Sequence, residues 1–231
     1  MTNFKTCLRE RQVVIGTLAT MASGNIAELL SRVGFDYIWI DSEHGPAGFV
    51  EIQTMIQAVG ERCPTLVRVP SSDDVWIKKA LDSGCDGVVV PQVNSAEEAR
   101  QVVSSCYYPP RGSRSVGMTR AHGFGLSFAD YLHNANDRVA VIVQVEHIKA
   151  VQQIDRIAAV EGLDAIFVGP FDLSGSLGLL AEIDHEQVQQ ATTQVLESCK
   201  RHDLPVGIFC VDSQAARTAI SAGFTMIALG A

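Results

Sequence analysis

Eight short apolar runs recur along the chain, and each is flanked by stretches with the spacing and end residues of helices. The runs are VVIGTLA from Val13, YIWID from Tyr37, TLVRV from Thr65, GVVVP from Gly87, VAVIVQVE from Val139, AIFVGP from Ala165, VGIFC from Val206 and TMIAL from Thr225. They are apolar on successive residues instead of alternating, as strands of a parallel sheet must be when helices cover the outer face and a core fills the inner one. Helix-like stretches lie between them over residues 25–33, 49–59, 73–82, 95–104, 149–160, 185–201 and 212–222. Ser72, Asn94 and Asp212 stand where N-caps belong, and Gly34, Gly60, Gly84 and Gly223 where glycines end helices. SRVGFDYIWID, ALDSGCDGVVVP and ISAGFTMIAL repeat one pattern of helix, glycine turn and strand, a degenerate βα repeat.

Eight βα units predict a closed α/β barrel, the (β/α)8 or TIM fold, over residues 1–231 as a single catalytic domain. A doubly wound sheet has fewer strands and a dinucleotide fingerprint after the first. Here IGTLATMASG has the wrong glycine spacing, and no Walker A sequence occurs. The 231 residues suffice for one such domain, and 47% apolar with 19% charged residues demands extensive burial. Eighteen basic against 26 acidic residues leave a net charge of -8, which gives no general electrostatic reason to bind nucleic acid or an anionic membrane. The start, MTNFKTCLRERQ, has no apolar signal region and no later stretch has the length of a membrane span, so the cytoplasm is the expected location. Six scattered cysteines form no C-x-x-C pair and read as small hydrophobes.

Two departures from even spacing stand out. The connection from Pro91 to Arg138 holds one helix and then YYPPRGSRSVGMTRAHGFG, which on length and composition is expected to form an active-site or interface loop on the catalytic face. The chain also stops at Ala231, straight after the eighth run, so the eighth helix is expected to be missing.

In such a barrel the active site is built from the C-terminal ends of strands. Asp41, Glu43 and His44 follow the second run, Arg68 ends the third, Gln92 follows the fourth, Gln144 and Glu146 end the fifth, and Asp172 follows the sixth. Glu146 and Asp172 are two carboxylates able to converge on a hard divalent cation of the Mg or Mn type, with water and substrate oxygens completing its shell; the alternative is a pair of solvated loop acids. His44, among small and acidic residues in IDSEHGP, is either a general base or a surface histidine, with His122 a weaker competitor. Arg68 interrupts an apolar strand, where a permanent cation needs a carboxylate partner such as Asp41 or Glu43, a substrate oxyanion, or both. In FVGPFDLSGSLG, Gly169 permits a tight turn whose backbone N–H groups either grip a carboxylate or simply close a βα loop.

Six ordered segments, IDSEHGP, LVRVP, LDSGCDGVVVPQVNSAEEAR, YYPPRGSRSVG, VQVE and GPFDLSGSLG, together resemble the HpcH/HpaI family of class II pyruvate aldolases over nearly the whole chain. The resemblance implies a metal-dependent lyase that reversibly cleaves 4-hydroxy-2-oxo acids, 2-keto-3-deoxy sugar diacids among them, to pyruvate and an aldehyde through a metal-stabilised enolate. It implies Glu146 and Asp172 as ligands of Mg, Mn or Co, His44 as base, and Arg68 at the pyruvyl oxygen. Gln144 would lie near substrate, and backbone N–H groups around Gly169 and Phe171 would hold its carboxylate.

Asp82 of LDSG resembles the partner of the catalytic histidine. A helix end lies at the opposite face of the barrel, so that contact would have to cross between subunits. Aldehyde specificity is expected around Ser42, Glu43, Gln92, Val93 and the loop arginines Arg111, Arg114 and Arg120. The family implies a homo-hexamer, expected to be weakened here by the missing helix. Alternatives are a citrate-lyase-beta-like lyase, a 2-oxo acid decarboxylase, or an idle barrel that only binds.

Overall fold

The computed structural model describes residues 3–230. Eight parallel strands close into a barrel in the order β1 to β8, with β8 pairing back onto β1. They are β1 (Val14–Ala19), β2 (Tyr37–Asp41), β3 (Thr65–Arg68), β4 (Gly87–Val90), β5 (Ala140–Val145), β6 (Ala165–Val168), β7 (Val206–Cys210) and β8 (Met226–Leu229). The helices are α1 (Phe4–Arg9), α2 (Gly24–Leu30), α3 (Phe49–Val59), α4 (Asp74–Asp82), α5 (Ala96–Cys106), α6 (Phe128–Arg138), α7 (Ile148–Gln152), α8 (Ile154–Ala158), α9 (Pro170–Ser176), α10 (Glu186–Arg201) and α11 (Ser213–Ala222). Within the described residues no helix follows β8, and none is long and apolar enough to cross a membrane.

The strands divide their residues between two cores by the period of two that a pleated chain imposes. Along β2, Ile38 and Ile40 join the layer between strands and helices, whereas Tyr37 and Trp39 join the barrel interior. The next inward residue is Asp41, at the C-terminal mouth. Large inward rings need small neighbours: a Cβ on Gly16 would collide with the ring of Tyr37, and one on Gly207 with that of Phe167.

α1 closes the other end of the barrel. Phe4 packs on Tyr37 with ring centroids 5.3 Å apart, and Leu8 joins the same interior cluster. Between them Lys5 is fully buried, its Nζ donating to the Tyr107 hydroxyl (2.7 Å) and the Val139 carbonyl (2.8 Å) while pairing with Asp164 at 3.0 Å. A buried ammonium survives there because every donor direction meets oxygen.

The long segment between β4 and β5 lies elsewhere than expected. α5 first returns the chain to the N-terminal end, so the insertion, a 3-10 turn at Arg120–Gly125 followed by α6, enters β5 from below. Arg111 pairs with Asp137 (3.1 Å), Arg114 with Asp82 (2.8 Å), and Arg120 donates to the Ser83 carbonyl (2.8 Å). Length and composition marked the insertion, but its position after a helix instead of a strand decides which face it decorates.

Candidate active site

The mouth is made of the last inward-pointing residue of each strand and the turn beyond it. A cavity of about 260 Å³ opens there, with Asp41, His44, Arg68, Gln144, Gly169 and Asp172 on its polar side. Asp41 organises the turn after β2. Its Oδ1 accepts from the backbone N–H of Glu43 (3.1 Å) and His44 (3.3 Å), a local capping habit of Asp in turns. The same carboxylate takes two hydrogen bonds from Arg68, at 2.9 Å from Nε and 2.7 Å from Nη2. Burial pushes the Asp41 carboxyl up, but the guanidinium and the two amides outweigh it and hold the group below its usual value.

Both partners anticipated for Arg68 are therefore present, because Glu43 Oε2 also lies 3.3 Å from its Nε. Glu43 Oε2 is buried, makes this ion contact and one of 3.7 Å to His44 Nε2, and has no hydrogen bond of its own. Burial raises the Glu43 carboxyl despite Arg68 and His44. His44 itself stands at the rim, with 64% of its side chain exposed.

Glu146, just past β5, is almost wholly buried. Its Oε1 accepts from the Gln92 N–H at 2.7 Å and its Oε2 from Gln144 Nε2 at 2.5 Å. Gln92 adopts φ 55 to aim that amide, a role the sequence alone did not reveal. Burial first, then the charges of Glu43 and Asp172, raise the Glu146 carboxyl to about 7, against the pull of the Gln92 amide and Arg68. Gly169 explains how the group fits: a Cβ there would sit 2.9 Å from both Gln144 Nε2 and Glu146 Oε2.

The turn after β6 supplies the remaining parts. The Gly169 N–H is committed to the Val145 carbonyl (3.2 Å) and Pro170 has none, so the amides of this turn without an intrahelical acceptor are those of Phe171 and Asp172 in the first turn of α9. The Asp172 side chain is exposed toward the cavity that it lines.

His44, Arg68, Gln144, Glu146, Gly169, Phe171 and Asp172 thus share one mouth, whereas Asp82 does not. It ends α4 at the far end of the barrel, bonded to the buried Arg114. His122 is also remote, buried between the Tyr108 hydroxyl (3.2 Å) and Thr119 (3.0 Å).

A divalent cation fits the acidic side of this mouth on two observations. Carboxylates of Glu43, Glu146 and Asp172 are close enough to perturb one another, and the buried oxygens Glu43 Oε2 and Gln144 Oε1 lack hydrogen-bond partners. The donors are all oxygen, the set a hard ion such as Mg2+ or Mn2+ prefers. Among the described residues no three His, Cys, Asp or Glu side chains form a ready-made cage, so protein ligation would rest on two carboxylates.

A closed parallel barrel whose strand ends gather acids, one buried arginine and a rim histidine defines an enzyme of the (β/α)8 class with its site at the C-terminal mouth. The chain belongs to the HpcH/HpaI aldolase/citrate lyase family, whose model matches residues 15–231. A hydroxypyruvate/pyruvate aldolase from Sagittula stellata is 39% identical over 228 residues, covering 98% of this chain and 90% of the relative. A 5-keto-4-deoxy-D-glucarate aldolase from an Enterobacter species is 37% identical over 229 residues, with 98% and 89% covered. Among solved structures, a family protein from Burkholderia cenocepacia superposes with a TM-score of 0.94 at 36% identity, covering 98% of this chain and 91% of its own. Membership makes the chain a lyase-type enzyme of 2-oxo acids.

Proposed function

We propose that the barrel is a class II pyruvate aldolase, cleaving 4-hydroxy-2-oxo acids to pyruvate and an aldehyde and running the addition in reverse. The observation that carries this reading is the crowding of Glu146, Asp172 and Glu43 beside Arg68 in one mouth, where burial, joined by the charges of Glu43 and Asp172, raises Glu146 to about 7. Glu146 and Asp172 would hold a Mg, Mn or Co ion. Such an ion, when bound, supplies a Lewis acid for the C2 carbonyl and the positive charge these carboxylates lack.

The chain's own groups divide the remaining work. The amides of Phe171 and Asp172 donate to the substrate C1 carboxylate. Arg68 keeps its Nη1 group outside the Asp41 pair and donates it to the C2 oxygen, where negative charge grows as the carbon chain breaks. Asp41 fixes the guanidinium plane so that this donor is aimed before substrate arrives. His44 takes the proton of the C4 hydroxyl, the C3–C4 bond breaks, and the aldehyde departs. The resulting enolate takes a proton from solvent water at C3 to become pyruvate, and the imidazolium returns its proton to solvent at the exposed rim, which balances the step. Asp82 enters this scheme only through a second copy that sets the end of its α4 beside this mouth.

The test is pyruvate release from 4-hydroxy-2-oxo acids by chelator-treated protein before and after adding Mg2+, Mn2+ or Co2+. Release restored by metal is expected; none with any of the three, from a protein with intact circular dichroism, overturns the reading. Carbon dioxide in place of aldehyde would mark a decarboxylase. His44→Ala is expected to lower kcat at least about 100-fold with metal affinity unchanged.

A further inference from the structure

Trp39 carries a polar group that its place in the fold does not require. It joins the interior cluster of Leu66, Val89, Ile142 and Phe167, where a leucine or a phenylalanine would fill space and leave no donor unpaired. The indole is only 1% exposed and borders the cavity of the mouth, yet its Nε1 makes no hydrogen bond among the described residues. A buried N–H without an acceptor costs stability, so the indole has to be accounted for by what its ring face does.

The strand ladder shows what lies on that face. Across β2 and β3, Trp39 pairs with Leu66 and Asp41 with Arg68, which sets the indole one inward layer beneath the Asp41–Arg68 pair. The guanidinium carbon of Arg68 stands over the indole, 5.5 Å from its centroid. The two hydrogen bonds to Asp41 run along one edge of the guanidinium, so they fix that edge and leave the group free to rock about it. Glu43 Oε2, 3.3 Å from Nε and without a hydrogen bond of its own, is a second acceptor toward which it can turn. A ring face beneath a desolvated guanidinium opposes that movement, and indole attracts a cation more strongly than the other aromatic rings do. The ring is itself braced, because Phe167 meets it nearly edge-on with centroids 4.6 Å apart. Phe167 in turn occupies space that a Cβ at Gly207 would take.

We infer that Trp39 is a positioning residue for the reaction, holding the Arg68 guanidinium level so that its Nη1 meets the C2 oxygen as negative charge grows there. The inference rests on the aldolase reading, in which Arg68 donates to that oxygen. The effect belongs to the transition state: pyruvate binds with a neutral C2 carbonyl, and only on the way to the enolate does charge develop for an aimed donor to offset.

Exchange of the pyruvate methyl protons with deuterated water, catalysed by the Mg2+-loaded protein, isolates this step from any aldehyde. A C3–H bond breaks, its proton passes to base and the electron pair moves into the enolate; a C3–D bond then forms with a deuteron from solvent as the C2 carbonyl returns. Trp39→Met, which fills most of the space without a ring face, is expected to lower kcat for exchange at least about tenfold, with KM for pyruvate held within about twofold. Its Mn2+ affinity is expected to be unchanged. Trp39→Phe, which restores a face and lacks the N–H, is expected to recover kcat to within about threefold of the original protein. Should Trp39→Met lose its circular dichroism, Trp39→Leu carries the same prediction. An unchanged kcat in the aliphatic variant, a loss borne by KM alone, or equal losses in the aliphatic and phenylalanine variants overturns the inference and leaves the aldolase reading standing. Absence of exchange with the unaltered protein overturns both together.

Discussion

Glu146 stores the most consequential imbalance at the level of single residues. A carboxyl raised to about 7 in the fold, from an ordinary value near 4.5, favours the folded state while protonated. That advantage is whole below about pH 4.5 and is lost as pH rises through 7, a swing of about 3 kcal/mol over the interval. The metal-free protein is therefore expected to show a stability component that falls between pH 5 and 8, and Glu146→Gln to remove it; urea unfolding of both proteins at the two pH values checks this. Asp41 runs the other way. Held below its ordinary value, it contributes stability at neutral pH that disappears only in acid. Most of these polar residues were legible in sequence because a charged or amide side chain at the end of an apolar run has few structural reasons to be there. The cavity-lining positions of Leu18 and Phe209 were not, since an apolar residue in a strand looks the same whether it meets another side chain or lines a cavity. The Gln92 amide was hidden for a different reason: its contribution is a backbone direction, not a side-chain type.

Elements were read with uneven success, and each miss has a cause. The eight strands were evident because burial on both faces leaves a continuous apolar run. Helix starts were placed within one residue: Asp73 and Ser95, the neighbours of Ser72 and Asn94, make the capping bonds to Val75 and Glu98, while Asp212 caps α11 as expected. The single helix expected over 149–160 is two short ones, α7 and α8, broken at Gln153. α1 went unseen because six residues carrying a lysine and an arginine look like a solvated start. Its burial depends on Tyr107, Val139 and Asp164, more than a hundred residues away. Lys5→Met is expected to leave Asp164 buried with one partner fewer and to cost about 3–5 kcal/mol, measured as a lowered urea midpoint with an unchanged slope. Gly169→Ala is expected to act differently, pushing the Glu146 carboxylate aside and reducing metal affinity more than stability. Calorimetric titration with Mn2+ distinguishes the two effects.

Across the whole molecule the cysteines report how completely the barrel is sealed. All six are free, and Cys63, Cys85, Cys106, Cys199 and Cys210 are buried. Burial pushes Cys63 and Cys210 up to about 11 and Cys85 and Cys199 up to about 12, so few thiolates form at neutral pH. Native protein treated with iodoacetamide is expected to be alkylated at Cys7 at most, and at all six positions in denaturant, as intact-mass spectrometry would count. The seal at the N-terminal end has a consequence for synthesis. α1 leaves the ribosome before every strand of the barrel, yet the oxygens that receive Lys5 belong to residues made more than a hundred positions later, so this helix has no berth until most of the strands exist. Its docking therefore waits for the segments that carry Tyr107, Val139 and Asp164, a long-range closure between the start of the barrel and its middle.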